Sequence, residues 1–227
     1  MLNVKNTMID TLLSVVAPHL CSGCGQVGSL FCDNCKYNII AEPFSGCIIC
    51  EKPTRLGICA DHKVAFNQAF VVSHRSGALQ RLIGGFKFRN MKSASASLAD
   101  LLDSRLPRLP DRSVFVPIPT APPHVRERGY DHMLLVTTSL ASKRHVPVSP
   151  LLVRTNNLVQ HKASRIDRVQ QALTAFRVQG TVDPLATYIV VDDVVTTGST
   201  INQAALLLKQ AGATSVWIAA IARQPLD

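Results

Sequence analysis

Two adjacent carboxylates, Asp192 and Asp193, close a run of β-branched and aromatic residues that begins at Tyr188, and the chain continues Val-Val-Thr-Thr-Gly-Ser-Thr to Thr200. A strand that ends in such a turn and feeds a helix offers several unpaired backbone N–H groups and the positive end of the helix dipole, a ready site for a phosphate. The hydroxyls of Thr196, Thr197, Ser199 and Thr200 add donors, and Gly198 lets the backbone come close to a ligand. Two carboxylates beside that loop would repel the phosphate itself. They suit sugar hydroxyls or the hydration shell of a magnesium ion instead.

A second chemistry lies near the N-terminus. All seven cysteines fall between Cys21 and Cys59, as Cys21-x2-Cys24, Cys32-x2-Cys35 and Cys47-x2-Cys50, and the series ends with Cys59-x2-His62. That spacing lets a tight turn aim two side chains at one tetrahedral ion, with Gly23, Gly25 and Gly46 easing the turns. Eight ligands make two four-coordinate zinc sites. The simplest grouping is sequential, Cys21/Cys24/Cys32/Cys35 and Cys47/Cys50/Cys59/His62; a cross-braced pairing uses the same residues. An odd cysteine count and paired C-x-x-C spacing favour reduced thiols and metal over disulfides. Sites with all four positions filled by protein are structural, because no position is left for water.

The elements that must carry these groups follow from hydrophobic periodicity. Thr200–Ala211 places Ile201, Ala204, Ala205 and Leu208 on one helical face, with Lys209 in the last turn and Gly212 as the stop. Ser215–Ala222 reads as another buried strand, so the region is a βαβ unit with parallel strands. Upstream, Phe70–His74 reads as a strand, Leu79–Phe88 as an apolar helix or arm, Ser93–Leu106 as a helix and Val114–Ile118 as a short strand. In the following PIPTAPP the prolines argue against further regular structure. Residues 6–17 read as a short amphipathic helix. The chain divides into a metal module to about residue 65 and an α/β domain over 66–227.

Composition bounds the rest. In 227 residues, 47% are apolar and 17% charged, which places the chain far from the disordered corner of sequence space. No apolar stretch approaches the ~18–20 residues of a membrane span, and a secretory leader fits the N-terminus poorly, so a soluble cytoplasmic protein is expected. The net charge of +9 is concentrated in residues 87–168, which hold 14 basic and 6 acidic side chains. Such a patch attracts polyanions, either the phosphates of a metabolite or a nucleic-acid backbone.

The run V-D-D-V-x-T-T-G-x-T is similar to the PRPP-binding signature of type I phosphoribosyltransferases. The resemblance implies that Asp192 and Asp193 contact the ribose 2′- and 3′-hydroxyls, that Val195, Thr196, Thr197, Gly198, Ser199 and Thr200 wrap the 5′-phosphate, and that magnesium accompanies PRPP. The whole arrangement is wider. Zinc-ligand pairs are followed by Ile83-x-x-Phe86-Lys87-Phe88-Arg89, Val116-Pro-Ile-Pro, Arg126-x-Arg128-Gly129-Tyr130, Arg154-Thr155, Gln160-x4-Arg165-x2-Arg168 and the PRPP loop. This order resembles the ComF family of competence-related proteins, with its GntX-like members, from Cys21 to Arg223. Where that family reads R-G-F-N-Q, this chain has Arg128-Gly129-Tyr130-Asp131-His132, and His62 replaces a usual cysteine ligand.

The resemblance implies a type I phosphoribosyltransferase-like parallel sheet flanked by helices, behind a double zinc-ribbon module. It implies a magnesium-dependent pentosyl transfer in which pyrophosphate leaves the anomeric carbon. Loop Pro119–Arg128 is then the pyrophosphate loop, with Arg126 and Arg128 as catalytic cations, and Lys87 or Arg89 reaches in from a hood formed by residues 66–90. An alternative keeps the fold without turnover: a competence factor whose phosphate loop and basic segment hold single-stranded DNA. A PRPP sensor is a third reading. Partners would be PRPP or a related phosphosugar, single-stranded DNA and other competence proteins.

Overall fold

The computed structural model describes residues 19–89, 91–155 and 176–226. The expected helix over 6–17 and the residues Gln160, His161, Arg165 and Arg168 lie outside the described residues.

Four strands form one parallel sheet: β1 (Gln68–His74), β2 (Ser113–Pro117), β5 (Thr187–Val195) and β6 (Ser215–Arg223), in the order β1-β6-β5-β2. The two central strands are apolar almost throughout, as a sheet covered on both faces requires. Successive side chains leave β5 on opposite faces, so Ile189 and Val191 enter one core and Val190 the other. On the first face pack α2 (Gly77–Phe88), α3 (Ala94–Arg105) and α5 (His132–Arg144), through residues such as Leu82, Phe86, Leu98, Leu101, Met133 and Leu140. On the second face α6 (Ser199–Gln210) buries Ile201, Ala204, Ala205 and Leu208 against Val190, Ile218 and Ala220. A short helix α1 (Asp33–Ala41) and an antiparallel pair, β3 (Leu152–Arg154) with β4 (Phe176–Val178), complete the described elements. This is the expected α/β architecture, a parallel sheet flanked by helices with two ligand quartets toward the N-terminus.

The βαβ reading of the C-terminal region holds: β5 and β6 run parallel in register, with Asp192 beside Ala220. Two expectations change. Residues 68–74 are not part of a hood but an edge strand of the main sheet, paired with β6; among the described residues of 66–90, Lys87 and Phe88 at the end of α2 reach the site. The PIPTAPP segment does not stay irregular, because α4 (Pro122–Arg128) starts on its final prolines. Proline breaks a helix interior, yet its fixed φ and missing N–H cost nothing in the first turn.

The N-terminal segment is not insulated from the sheet. Phe31 and Ile39 belong to the core with α2 and α3, while Phe44, Ile48 and Phe66 belong to the core under α6. No described helix is long and apolar enough to cross a membrane.

Candidate functional site

The Cys21/Cys24/Cys32/Cys35 and Cys47/Cys50/Cys59/His62 groups each bring four ligand atoms within 4.8 Å of one another. The sequential grouping is therefore the one the fold makes, and all seven thiols are free of disulfides. Cys24 and Cys32 Sγ are 3.7 Å apart, Cys50 and Cys59 Sγ 3.6 Å, and His62 Nδ1 is 3.8 Å from Cys47 Sγ. A tetrahedron with Zn–S bonds of about 2.3 Å has edges of about 3.8 Å, so each quartet could hold a zinc ion. Burial opposes ionisation of Cys21, but N–H groups of the turn, including those of Cys32 and Gly23, aim at its sulfur and bring the thiol down to about 6. Cys47 has the same balance and falls to about 7. Their neighbours move the other way, Cys35 up to about 12 through burial and the adjoining thiols, so one sulfur of each quartet gives up its proton readily and a bound cation would have to draw the protons from the rest. Gly46 is required for space rather than for its dihedral freedom, since a Cβ there would meet Glu51 O at 2.6 Å.

At the carboxyl end of the sheet, a cleft of about 380 Å3 collects residues that are far apart in sequence. Asp192, Asp193 and Val194 come from β5, Thr200 from the start of α6, and Lys87 and Phe88 from the end of α2. Thr120, Ala121, His124 and Arg128 come from the segment after β2, His132 from α5 and Arg154 from β3. Arg128 is buried; its Nη1 lies 3.2 Å from His132 Nδ1, and its Nε is enclosed without a hydrogen-bond partner among the described residues. Arg154 stacks over Phe176 and donates from Nε to Pro119 O at 2.8 Å. Among the predicted site residues, Arg126 is exposed on α4 and does not line this cleft. Lys87 does, through an ion pair of 2.7 Å with Asp193 Oδ2.

The two carboxylates differ in environment. Asp193 is 7% exposed; burial alone would favour its neutral form, but the His132 hydrogen bond and the Lys87 ammonium outweigh that and hold it below the usual carboxylate range. Asp192 moves the other way: burial, then the charge of Asp193, push it above that range. The pair thus carries one firm negative charge, held by the Lys87 ammonium and the His132 hydrogen bond, and one carboxyl that keeps a proton more readily.

His132 is a site residue that the motif reading leaves without a role. Its Nε2 lies 2.6 Å from Asp193 Oδ2, and its Nδ1 is held between Thr120 Oγ1 at 2.7 Å and Arg128 Nη1 at 3.2 Å. The signal was the departure from R-G-F-N-Q at this position. Asp131, the other departure, caps α5 by accepting from Met133 N and Leu134 N at 3.0 Å, and it also holds Thr120 through N and Oγ1 at 3.1 and 2.7 Å. Removing this carboxylate in Asp131→Ala is expected to cost about 1–2 kcal/mol, the upper range for an N-cap, read as a lower Tm in thermal unfolding.

The phosphate loop lies beside the cleft. Gly198 has φ +79° and N-caps α6 with no side chain of its own to bond the first turn, where Ser199 N makes a long 3.4 Å contact with Thr197 Oγ1, so the turn points N–H groups at the space a ligand would fill. Thr197 Oγ1 and Ser199 Oγ are 2.8 Å apart, and Thr196, Thr197, Ser199 and Thr200 are exposed. Val195 is buried at the foot of the loop. A Cβ on residue 198 would be in ordinary contact with Ile49 at 3.5 Å, so Gly198→Ala is limited by backbone strain. It should cost about 1–2 kcal/mol, a Tm loss of about 2–8 °C for a chain of this size.

Comparison with known proteins places this geometry. Competence protein F of Haemophilus influenzae is 27% identical over 207 residues, covering 85% of this chain and 90% of its own length. Competence protein ComFC of Streptococcus pneumoniae is 25% identical over 201 residues, covering 87% and 84%. DNA utilization protein YhgH of Salmonella typhi is 32% identical over 178 residues, covering 74% and 77%. The chain belongs to this family, the ComF-type proteins to which competence protein F, ComFC and YhgH give their names. No family model matches the chain. Among solved structures, an allosteric regulatory enzyme of purine biosynthesis aligns at 19% identity and TM-score 0.41 over 57% of this chain. This chain spans 25% of that enzyme's length. A hypoxanthine phosphoribosyltransferase of Staphylococcus aureus aligns at 13% identity and TM-score 0.36, over 60% of this chain and 65% of its own. Likeness at this level bears on neither ligand nor chemistry.

Proposed function

We propose that this chain binds PRPP together with magnesium in the cleft at the carboxyl end of the sheet and acts as a phosphoribosyltransferase-like protein in DNA uptake or nucleotide metabolism. The observation that carries the reading is the meeting, at one strand end, of the Asp192–Asp193 pair with an uncapped helix N-terminus ringed by hydroxyls. The loop Val195–Thr200 would take the 5′-phosphate, and the two carboxylates the ribose hydroxyls. Bound with the sugar, magnesium would neutralise part of the charge on the leaving pyrophosphate. The C1′–O bond to pyrophosphate breaks with its electron pair, the acceptor's nucleophile bonds to C1′, and Arg128, Arg154 and Lys87 stabilise the charge that develops on the departing group. Lys87 must trade its Asp193 contact for the ligand, a local exchange for a flexible side chain. Thiol ligands suit the cytoplasm, where they stay reduced, and we place residues 1–65 as a zinc-dependent module ahead of the catalytic domain over 66–227.

Calorimetric titration with PRPP and magnesium tests the reading, and pyrophosphate release against a panel of nucleobases and DNA ends tests turnover. A flat titration at saturating magnesium counts against the whole proposal.

A second reading rests on a different observation. Phe88 is 72% exposed at the mouth of the cleft, with the Arg128 guanidinium 5.6 Å from its ring centre and Arg89 beside it in sequence. An exposed ring among cations suits stacking on a base of single-stranded DNA, and the relatives' names tie them to competence and DNA utilization. Other competence proteins are the corresponding protein partners. Oligonucleotide binding that falls steeply with salt, and weakens further in Phe88→Ala, supports it; a flat salt response opposes it.

A further inference from the structure

Arg223, the last residue of β6, is the largest fully buried side chain among the described residues, at 1% exposure, and the chemistry above makes no use of it. Its guanidinium spans two segments. Nη2 donates to Ile49 O at 3.2 Å, inside the turn between Cys47 and Cys50, and Nη1 donates to Val195 O at 3.4 Å, at the foot of the phosphate loop. Nη1 also donates to Gln224 O, and Gln224 N returns to Val195 O at 2.8 Å. Its Nε faces Glu51 Oε1 at 3.9 Å, and both atoms are enclosed with no hydrogen-bond partner among the described residues.

Further ties connect the same two segments. Glu51 holds a left-handed backbone with φ 61°, and its N–H closes the Cys47 turn by donating to Cys47 O at 2.8 Å. Ile49 packs on Gly198, the N-cap of α6. Three residues beyond His62, Ala65 N donates to Asn202 Oδ1 in the first turn of α6, at 2.8 Å. Among the described residues the first quartet has no such tie to the phosphate loop: Arg81 fastens it to α2 instead, donating to Ser22 O and Gly23 O at 2.8 and 2.7 Å.

A buried guanidinium that satisfies its donors mostly on carbonyl oxygens is a costly way to fill space, and it is stable only while those carbonyls stay where they are. The Ile49 carbonyl is placed by a turn whose two ends, Cys47 and Cys50, are ligands of the second quartet. We propose that Arg223 is a positioning residue that couples the Cys47/Cys50/Cys59/His62 site to the phosphate loop, so that the loop takes its anion-binding shape when a metal closes that quartet. The functional consequence rests on the PRPP reading, but the coupling itself does not. By linkage, whatever factor the metal contributes to phosphate affinity, phosphate returns to metal affinity.

Amide hydrogen exchange by mass spectrometry on the full zinc-loaded chain tests this without any ligand. Arg223→Gln should accelerate exchange of the peptide over residues 195–202 by about tenfold or more, while β1 stays protected. Cys59→Ser should reproduce that pattern, and Cys24→Ser in the first quartet should not. If Arg223→Gln fails to fold, metal withdrawal from wild type, which empties both sites, supplies the same comparison, and Cys24→Ser, which empties the first site alone, is set beside it so that the difference reads the second site. Loop exchange that is unchanged when the second quartet is empty, or that rises equally when the first is, overturns the proposal. Wild-type protein that shows the coupling yet fails to bind PRPP would overturn the functional reading alone.

Discussion

Replacing Asp192 and Asp193 together by asparagine is expected to weaken PRPP binding at least about 100-fold, since each charge-assisted hydrogen bond to a sugar hydroxyl is worth about 1.5–3 kcal/mol. Asparagine keeps the shape, so the loss reads charge and acceptor capacity rather than packing. The single variants separate the two roles. Asp193→Asn strands Lys87 and His132 without their shared carboxylate, and breaking a buried pair from one side costs about 3–5 kcal/mol. Asp192→Asn removes a carboxyl that burial and Asp193 already drive toward its neutral form, so its stability cost should be small.

The pH dependence has opposite signs at the two positions. Asp193 titrates lower in the fold than in the open chain. The stability it contributes is complete above the ordinary carboxylate value of about 4 and is lost as pH falls through its folded value. Asp192 titrates higher in the fold, so the native state holds the extra proton and stability declines as pH rises from the ordinary value through the folded one. Asp192→Asn should therefore flatten a Tm–pH profile between about 4 and about 7, and Asp193→Asn should flatten it below about 4.

Stripping metal from both quartets is the second large effect. Purified protein should carry about two zinc per chain, and metal-free protein should lose more than about 10 °C in Tm, because structural zinc contributes about 10–16 kcal/mol of binding energy to small ligand frameworks. The loss should spread beyond the first 65 residues. Phe31 and Ile39 pack under α2 and α3, and Phe44 and Ile48 under α6, so releasing the quartets opens both faces of the sheet. Metal-free protein that melts at the holo temperature would show that the quartets are not structural zinc sites.

Local chemistry was legible in the sequence, and distant contact was not. Tyr188–Thr200 could be read because a β-branched run, an acidic pair and a hydroxyl-rich turn each have a local physical meaning. The cysteine spacing likewise implied eight ligands, but which four met depended on how the chain folds back. Pro122 and Pro123 misled because a proline's effect depends on its place in a helix, and the first turn tolerates what the interior forbids. His132 and Asp193 lie 61 residues apart, and nothing in either local sequence announces a 2.6 Å contact. Arg223 is harder still: a single arginine at a strand end looks like a surface residue until the fold closes the Cys47 turn over it.

A crystal structure of the chain grown with saturating PRPP and magnesium tests the central claim most directly. The 5′-phosphate should lie within hydrogen-bond distance of the backbone N–H groups at 197–200, and the ribose hydroxyls on Asp192 and Asp193. PRPP bound elsewhere, with that loop empty and Lys87 still paired to Asp193, would contradict it.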